Sequence, residues 1–248
     1  MAIIQTVISL VILGFLYGRM IQRETPARVT KAQAIVPIVL GVISLFLSFG
    51  FVLAIMASLK AIGFSTASFP PLLRSVCSAF LTAGLPEELA KLLIMLVCIR
   101  AFRSSIRNVY EYILIGAAVG FGFSLFEEFL YGGDSIVIMV GRIALLAGHM
   151  VFGMIMARHL GMARYNIISH SGSVGGEYVL AILIPVLIHT LFDALTADNT
   201  LLSSSDDFTI TIGFLLSLVA LVALFVMQIV VLVRFRKHAE KYCGMKLI

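Results

Sequence analysis

Long apolar runs are the feature that most constrains how this chain can fold. An α-helix of about 20 residues crosses the hydrocarbon core of a bilayer, and seven runs of the chain approach or exceed that length. They lie at residues 2–18, 34–58, 72–99, 110–131, 134–157, 178–196 and 208–233. Since only 12% of the residues are charged, no hydrophilic block is large enough for a separate soluble domain. We therefore predict an all-α, polytopic transmembrane helical bundle with about seven spans, forming a single integral membrane domain over residues 1–248.

The basic residues are distributed unevenly between the predicted spans. Those on one side of the predicted bundle are Arg19, Arg23, Arg28, Lys31, Arg100, Arg103, Arg107, Arg158, Arg164, Arg234, Arg236, Lys237, Lys241 and Lys246. The opposite side holds Lys60, Arg74, Asp134, Asp198, Asp206 and Asp207. Because cytoplasmic loops are enriched in Lys and Arg, we expect the N-terminus outside and the C-terminus in the cytoplasm. The net charge of +5 then reflects topology and attraction to anionic lipid headgroups, and a nucleic-acid partner has no support.

Several ionisable side chains lie within predicted spans three to six. They are Glu87, Glu88, Lys91, Glu127, Glu128, Arg142, His149, His189 and Asp193. Each charge at the centre of a membrane helix costs roughly 2.5–3.5 kcal/mol, and the sum rivals the roughly 5–15 kcal/mol that stabilises a whole domain. A free-energy cost of this size is tolerated only when the charged groups meet in a polar interior and serve a function. We therefore predict a catalytic core formed by the helices at residues 72–196.

The spacing of these side chains places them on common helix faces. Residues four apart share a face of an α-helix, and residues seven apart lie two turns along it. The pairs with this spacing are Glu87 with Lys91, Arg142 with His149, and His189 with Asp193. We expect Lys91 to neutralise part of the glutamate pair, and Asp193 to orient His189 or to substitute as a ligand.

Two prolines and two glycine pairs also lie within the apolar runs. Pro86 directly precedes the glutamate pair, and Pro185 lies four residues before His189. A proline inside a helix removes a backbone hydrogen bond and kinks the helix, which either holds water beside the acids or serves packing alone. The GxxxG pairs are Gly14 with Gly18 and Gly116 with Gly120. We expect them to mark helix contacts, chiefly within the chain.

Two hydrolytic chemistries fit these residue types. In the first, His149, His189 and a carboxylate from Glu127 or Asp193 bind a zinc ion. Three protein ligands leave a position open for water, which the metal makes nucleophilic near neutral pH. A glutamate of the adjacent pair would then act as the general base.

In the second chemistry no metal takes part. Glu87 or Glu88, held at low dielectric beside another acid, activates water directly, and the histidines donate to the oxyanion that forms. The sequence contains no HExxH zinc motif, so the spacing leaves both routes open. Either route hydrolyses an amide bond within the bilayer.

Other functions fit these residues less well. A serine nucleophile would be Ser124, which lacks a GxSxG context, and an aspartyl mechanism needs two intramembrane aspartates, of which only Asp193 is well placed. A proton- or ion-coupled transporter would use the same buried acids and histidines, yet transporters usually show internal repeats and more spans. A structural scaffold would not need four polar helices at such a cost in free energy.

Four short motifs follow one another within the predicted core. They are EELAK at residues 87–91, FSLFE at 123–127, HMVFG at 149–153 and HTLFD at 189–193. In order and approximate spacing they resemble the EExxK, FxxxE, HxxxG and HxxxD/N motifs of PrsW-type intramembrane proteases. That family lies within the superfamily of CAAX-processing and bacteriocin-processing membrane proteases. The resemblance covers about residues 84–195.

The resemblance implies an endopeptidase that cuts membrane-anchored proteins and has the lipid bilayer as its surroundings. In the bacterial branch this typically means site-1-type cleavage of an anti-sigma factor, on its extracytoplasmic side, by an enzyme of the cytoplasmic membrane. The matching positions are Glu87 and Glu88 for the diglutamate, Glu127 for the later acid, and His149 and His189 for the histidines. Glu128 stands where the family often has Asn, so the choice between the two acids of this helix stays open.

Overall fold

The computed structural model describes residues 2–23, 29–132, 135–196 and 206–247. Within these ranges the chain forms ten α-helices. They are α1 (Ala2–Ile21), α2 (Lys31–Ala61), α3 (Pro71–Ala79), α4 (Leu85–Ala101), α5 (Val109–Tyr131), α6 (Ile136–Leu145), α7 (Gly148–Ser169), α8 (Val174–Thr196), α9 (Asp207–Lys237) and α10 (Ala239–Gly244). A π-helical segment, Phe80–Gly84, joins α3 to α4. The same ranges contain no β-strand, so the all-α prediction is confirmed.

Six helices in the described part of the chain are long and apolar enough to cross a membrane. They are Ala2–Ile21, Lys31–Ala61, Val109–Tyr131, Val174–Thr196, Asp207–Lys237 and the segment Ile138–Ser169, which comprises most of α6 together with α7. The remaining predicted span, 72–99, is divided between α3 with 9 residues and α4 with 17. The helical bundle is therefore confirmed, whereas the count of seven spans and the orientation stay predictions. Three residues of the orientation argument, Arg28, Asp134 and Asp198, lie outside the described residues.

The span predicted at 134–157 is two helices in the structure. α6 and α7 are separated at Leu146, just before α7 begins. A helix break inside a membrane frees backbone carbonyls, which must find partners within the protein. Ser124 donates to the carbonyl of Leu146 at 3.3 Å, and Gln228 donates to the carbonyl of Ala144. The prediction of one continuous helix is wrong here, because side chains from α5 and α9 satisfy the break.

α7 is also longer than predicted and continues to Ser169. Its last turns bury Ala163 and Asn166 against the bundle, so packing stabilises the helix beyond the apolar run. Arg158 and Arg164 consequently lie within α7, beyond residue 157 where the predicted span ended.

α5 is the helix around which the others pack. Residues 109–124 are all buried, and α1, α2 and α7 lie against them. A methyl group on Gly116 would overlap the carbonyl oxygen of Gly153, and one on Gly120 would overlap that of His149. The predicted contact at this GxxxG pair is therefore confirmed, and it brings the polar ends of α5 and α7 together.

The peripheral helices turn large apolar side chains outward. The exposed fractions are 66% for Phe15 on α1, 72% for Leu53 on α2 and 64% for Val219 on α9. Extensive exposed apolar surface marks a membrane or protein interaction face, as expected for an integral membrane protein. A methyl group on Gly14 would make only ordinary contact with Phe121, and one on Gly18 would meet open space. This pair therefore makes no close helix contact within the described part of the chain, and a contact between chains stays a prediction.

Candidate active site

The start of α4 places the two adjacent glutamates inside the bundle. The π-helical segment ends directly before Leu85 and Pro86, and a proline cannot donate the backbone hydrogen bond of a regular helix. Single π turns inside α-helices are frequent at functional sites. Gly84 packs so closely on Thr190 of α8 that a side chain at position 84 would overlap it. This contact sets α4 and α8 side by side at the level of Glu87.

Lys91 lies at the centre of the polar cluster and is completely buried. Its Nζ donates to Glu88 Oε1 at 2.8 Å and to His149 Nδ1 at 2.9 Å. Glu87 Oε2 lies 3.7 Å from the same nitrogen, and the Phe123 ring centroid lies 3.8 Å from it. The expected ion pair with the glutamates is present, with Glu88 as the closer partner. Because an ammonium group only donates, His149 Nδ1 accepts here and the ring proton sits on Nε2.

His149, at the start of α7, connects that helix to α5. Its Nε2 lies 2.6 Å from Glu127 Oε2. Its ring centroid is 4.8 Å from that of Phe123 and 5.1 Å from that of His189. Glu127 is therefore the acid of α5 that contacts a histidine, a choice between it and Glu128 that the sequence left open.

His189 on α8 is surrounded by carboxylates. Its Nδ1 lies 2.9 Å from Glu88 Oε1, and its Nε2 lies 3.3 Å from Asp193 Oδ2 and 3.7 Å from Glu87 Oε2. Phe152 stacks on the ring at a centroid distance of 5.4 Å. Once Nδ1 donates to Glu88, a lone pair on Nε2 would face two carboxylates, which is repulsive unless a cation lies there. A proton or a metal ion supplies that charge.

A second polar group adjoins Glu127. Arg142 Nη2 lies 2.8 Å from Glu128 Oε1 and 3.3 Å from Glu127 Oε1, and Gln5 of α1 donates to Glu128. Arg142 and His149, predicted to share one helix face, lie on α6 and α7, because the helix is broken between them. Both nevertheless contact Glu127.

Gln5 is a site residue that sequence reasoning missed, because the predicted catalytic core comprised only the helices at residues 72–196. Gln5 and Ser9 are both fully buried, and residues four apart lie on one helix face. A polar stripe of this kind in an otherwise apolar helix was the available signal.

Three of these side chains are placed to hold a metal ion. Glu87, His149 and His189 each offer a ligand atom, and these atoms lie within 4.8 Å of one another. Glu127, predicted as a ligand, instead contacts His149, and its role as a ligand stays a prediction. The buried Oε2 atoms of Glu87 and Glu88 accept no hydrogen bond from the described residues. Two imidazoles and a carboxylate are donors that zinc accepts in catalytic sites, so the donor set fits such an ion.

One part of the cluster is fully buried, and another part is partly exposed at the surface of the protein. The side chains of Glu88 and Lys91 are 0% exposed, whereas those of Glu87 and His149 are 22% and 16% exposed. Side chains from α4, α5, α7 and α8 thus lie together in one cluster. The arrangement has donors for a cation, a carboxylate oxygen free to accept a proton, and an accessible edge for a substrate.

Neither the curated proteins nor the solved structures contain a match to this chain. The chain does match the family described as PrsW family intramembrane metalloprotease over residues 30–233, which is most of its length. That stretch includes every residue of the polar cluster except Gln5. The chain therefore belongs to the PrsW family of intramembrane metalloproteases and is itself a membrane-embedded protease.

Proposed function

We propose that the protein hydrolyses a peptide bond of a membrane-anchored protein, using water activated at Glu87, His149 and His189. The observation that carries this proposal is the convergence of these three donors within 4.8 Å inside the bundle. The helices between residues 72 and 196 form the catalytic core of the single domain 1–248. The remaining helices pack around that core.

Zinc is the metal that this donor set favours. The metalloprotease family supports a metal-dependent route, and so does the exposure of His189 Nε2 to two carboxylates at 3.3 and 3.7 Å. When bound, the ion would act as a Lewis acid and make water a stronger nucleophile near neutral pH. Glu87, His149 and His189 would hold it. His149 would bind through Nδ1, which would then give up the hydrogen bond that it accepts from Lys91 Nζ, while its Nε2 keeps the contact with Glu127.

The neighbouring acids orient the two histidines. Glu127 accepts from His149 Nε2 and Glu88 accepts from His189 Nδ1, and such carboxylate–histidine contacts fix the ring orientation of ligands. Each histidine is therefore held by a carboxylate of another helix.

Glu88 is also the proposed general base. Its Oε2 has no hydrogen-bond partner among the described residues and is free to take a proton from water. The resulting hydroxide attacks the carbonyl carbon, the C–N bond breaks, and the proton passes from Glu88 to the leaving amine. Lys91 compensates the charge of Glu88 whenever that carboxylate is ionised.

The position of the cluster supports a substrate that enters from the predicted outer face. Glu127 precedes the end of α5 by four residues and His189 precedes the end of α8 by seven, which is roughly 6 and 10 Å along the helix axes. We propose cleavage close to that face, in an unwound juxtamembrane segment of the substrate. An anti-sigma factor in the bacterial cytoplasmic membrane fits this description.

The experiment is cleavage of a membrane-anchored reporter by purified protein in proteoliposomes. Glu87→Gln and His189→Ala should each lower the cleavage rate by roughly 10²-fold or more, the scale on which proton transfer and charge stabilisation act. Glu240→Gln and His238→Ala, which lie outside the cluster on α10 and at its start, should keep the wild-type rate. Wild-type rates in both cluster variants would refute the assignment.

Metal content is measured separately on the same samples. We expect one zinc ion per chain, lost with His189→Ala and retained with Glu240→Gln, and activity that chelation removes and zinc restores. Activity without any bound metal would contradict the metal route and favour direct activation by glutamate. Proton flux through substrate-free proteoliposomes, together with no cleavage, would favour a transporter.

A further inference from the structure

A separate cavity lies at the other end of the helices. It has a volume of about 350 Å³ and is lined by Arg103, Ser104, Ile106, Tyr112, Arg164 and Leu247. On α7, Arg164 follows His149 by 15 residues, which is roughly 22 Å along the axis. The cavity is therefore remote from the proteolytic cluster and independent of the function proposed above.

Backbone contacts hold the walls of this cavity. Leu247 N donates to Arg107 O at 2.8 Å, and Val109 N donates to Met245 O at 3.2 Å. The C-terminal segment thus lies along the connection between α4 and α5. Ile106 and Leu247 are only 3% and 5% exposed, so they form an apolar floor beneath the polar rim.

The two arginines of the cavity lack carboxylate partners in the described part of the chain. Ion pairs there involve other basic residues, and neither Arg103 nor Arg164 is among them. Glu111, close by in sequence, accepts hydrogen bonds from the backbone of Arg107 and the side chain of Asn108. Two guanidinium charges therefore line one cavity without a carboxylate partner among residues 2–23, 29–132, 135–196 and 206–247.

The chemistry of this lining suits a phosphate group above an apolar chain. Guanidinium groups bind phosphate oxygens through paired, charge-assisted hydrogen bonds, and the hydroxyls of Ser104 and Tyr112 line the same space. The cavity lies where α4 ends and where α5, a helix long and apolar enough to span a membrane, begins. In a bilayer, this end of the helix would meet the lipid headgroups. Basic pockets at that level bind anionic lipids. We propose that this cavity binds the phosphate headgroup of an anionic phospholipid.

The test is native mass spectrometry of the full chain from mixed micelles with equal phosphatidylglycerol and phosphatidylcholine. Wild type should retain phosphatidylglycerol preferentially. The double variant Arg103→Gln/Arg164→Gln should retain roughly tenfold less or lower still, since about 1.4 kcal/mol of lost binding energy is tenfold in affinity. Arg234→Gln/Arg236→Gln removes the same charge from the end of α9 and should bind like wild type.

A lysine variant and a phosphate titration separate a bound lipid headgroup from general charge attraction and from free phosphate. Arg103→Lys/Arg164→Lys keeps the charge but loses the planar guanidinium group, which can donate two parallel hydrogen bonds to a phosphate. Its retention of phosphatidylglycerol should therefore lie between that of wild type and that of the Gln variant. Equal retention by the Gln variant and wild type, or equal loss in the α9 control, would overturn the proposal. A rise in Tm of lipid-free wild type with inorganic phosphate, without lipid preference, would also overturn it and assign the cavity to free phosphate.

Discussion

At the scale of single residues, the ion pair of Lys91 with Glu88 is the most demanding contact of the site. Both side chains are 0% exposed and their charged atoms lie 2.8 Å apart. A buried ion pair often contributes little net stability, because desolvation offsets attraction. Its presence is better explained by the site, where it holds Glu88 against His189.

Removing one member of this pair should be strongly destabilising. Lys91→Met leaves the Glu88 charge buried with only His189 to compensate it, and such a loss costs about 3–5 kcal/mol. Unfolding of the purified protein in detergent measures the change, with the exposed Lys60→Met as the control. The double variant Lys91→Met/Glu88→Gln should recover part of the loss. A single variant as stable as wild type would show that the Glu88 charge needs no partner.

At the scale of helices, the contact between α5 and α7 determines where His149 lies. A side chain on Gly120 would overlap the backbone carbonyl of His149 itself. The absence of a Cβ at this position therefore fixes the approach of the two helices.

Gly120→Ala should force α7 away and displace His149. Overpacking of this kind costs about 1–3 kcal/mol, and we expect the cleavage rate to fall as well. The control is Gly50→Ala on α2, which has open space around it and should leave stability unchanged or raise it by about 0.4–1 kcal/mol. Equal behaviour of the two variants in unfolding would refute close packing at Gly120.

α6 is attached to the cluster chiefly through one side chain. None of its described side chains is buried, yet Arg142 contacts both Glu127 and Glu128. Without this cation two adjacent carboxylates would repel each other, and Glu127 would hold His149 less firmly.

Arg142→Gln should therefore lower the cleavage rate roughly tenfold, in the range typical of contacts that orient metal ligands. Arg142→Lys should have an intermediate rate, because lysine keeps the positive charge but lacks the planar guanidinium group that can contact two carboxylates at once. Zinc content should stay near wild type, since Arg142 is not among the three donors. A full rate in Arg142→Gln would exclude a positioning role for this residue.

At the scale of the whole molecule, the orientation in the membrane decides which face the substrate meets. The basic segments predict an outside N-terminus and a cytoplasmic tail. Under that orientation, the loop at Ser65 lies outside and Lys237 lies in the cytoplasm, and both residues are exposed.

Labelling in intact cells with a membrane-impermeant thiol reagent tests this orientation. Ser65→Cys should react in intact cells, and Lys237→Cys should react only after permeabilisation. The native Cys98 and Cys243 are buried, whereas Cys77 is half-buried, so both variants are made in a Cys77→Ala protein to keep the background low. The reverse pattern would invert the topology and move the proposed access to the cytoplasmic face.

Much of this molecule could be predicted because its solvent is lipid. The hydrocarbon core of a bilayer accommodates only long apolar helices, so the apolar runs located the helices. Because a buried charge costs free energy, the positions of Glu87, Lys91, His149 and His189 indicated a functional site. The chain order of motifs added the family. These inferences depend on composition and local spacing, which are visible in one dimension.

Other features depend on atoms that are distant in the chain. Glu127 and Glu128 are neighbours with the same chemistry, and only the tertiary structure shows that Glu127 alone contacts His149 while Arg142 contacts both acids. The break before α7 is tolerated because Ser124 and Gln228 reach its carbonyls. Contacts between separate helices depend on tertiary packing, and no periodic pattern in the sequence encodes which residues they join. The helices and their polar residues were therefore readable from the chain, whereas their pairing at the site had to be seen in three dimensions.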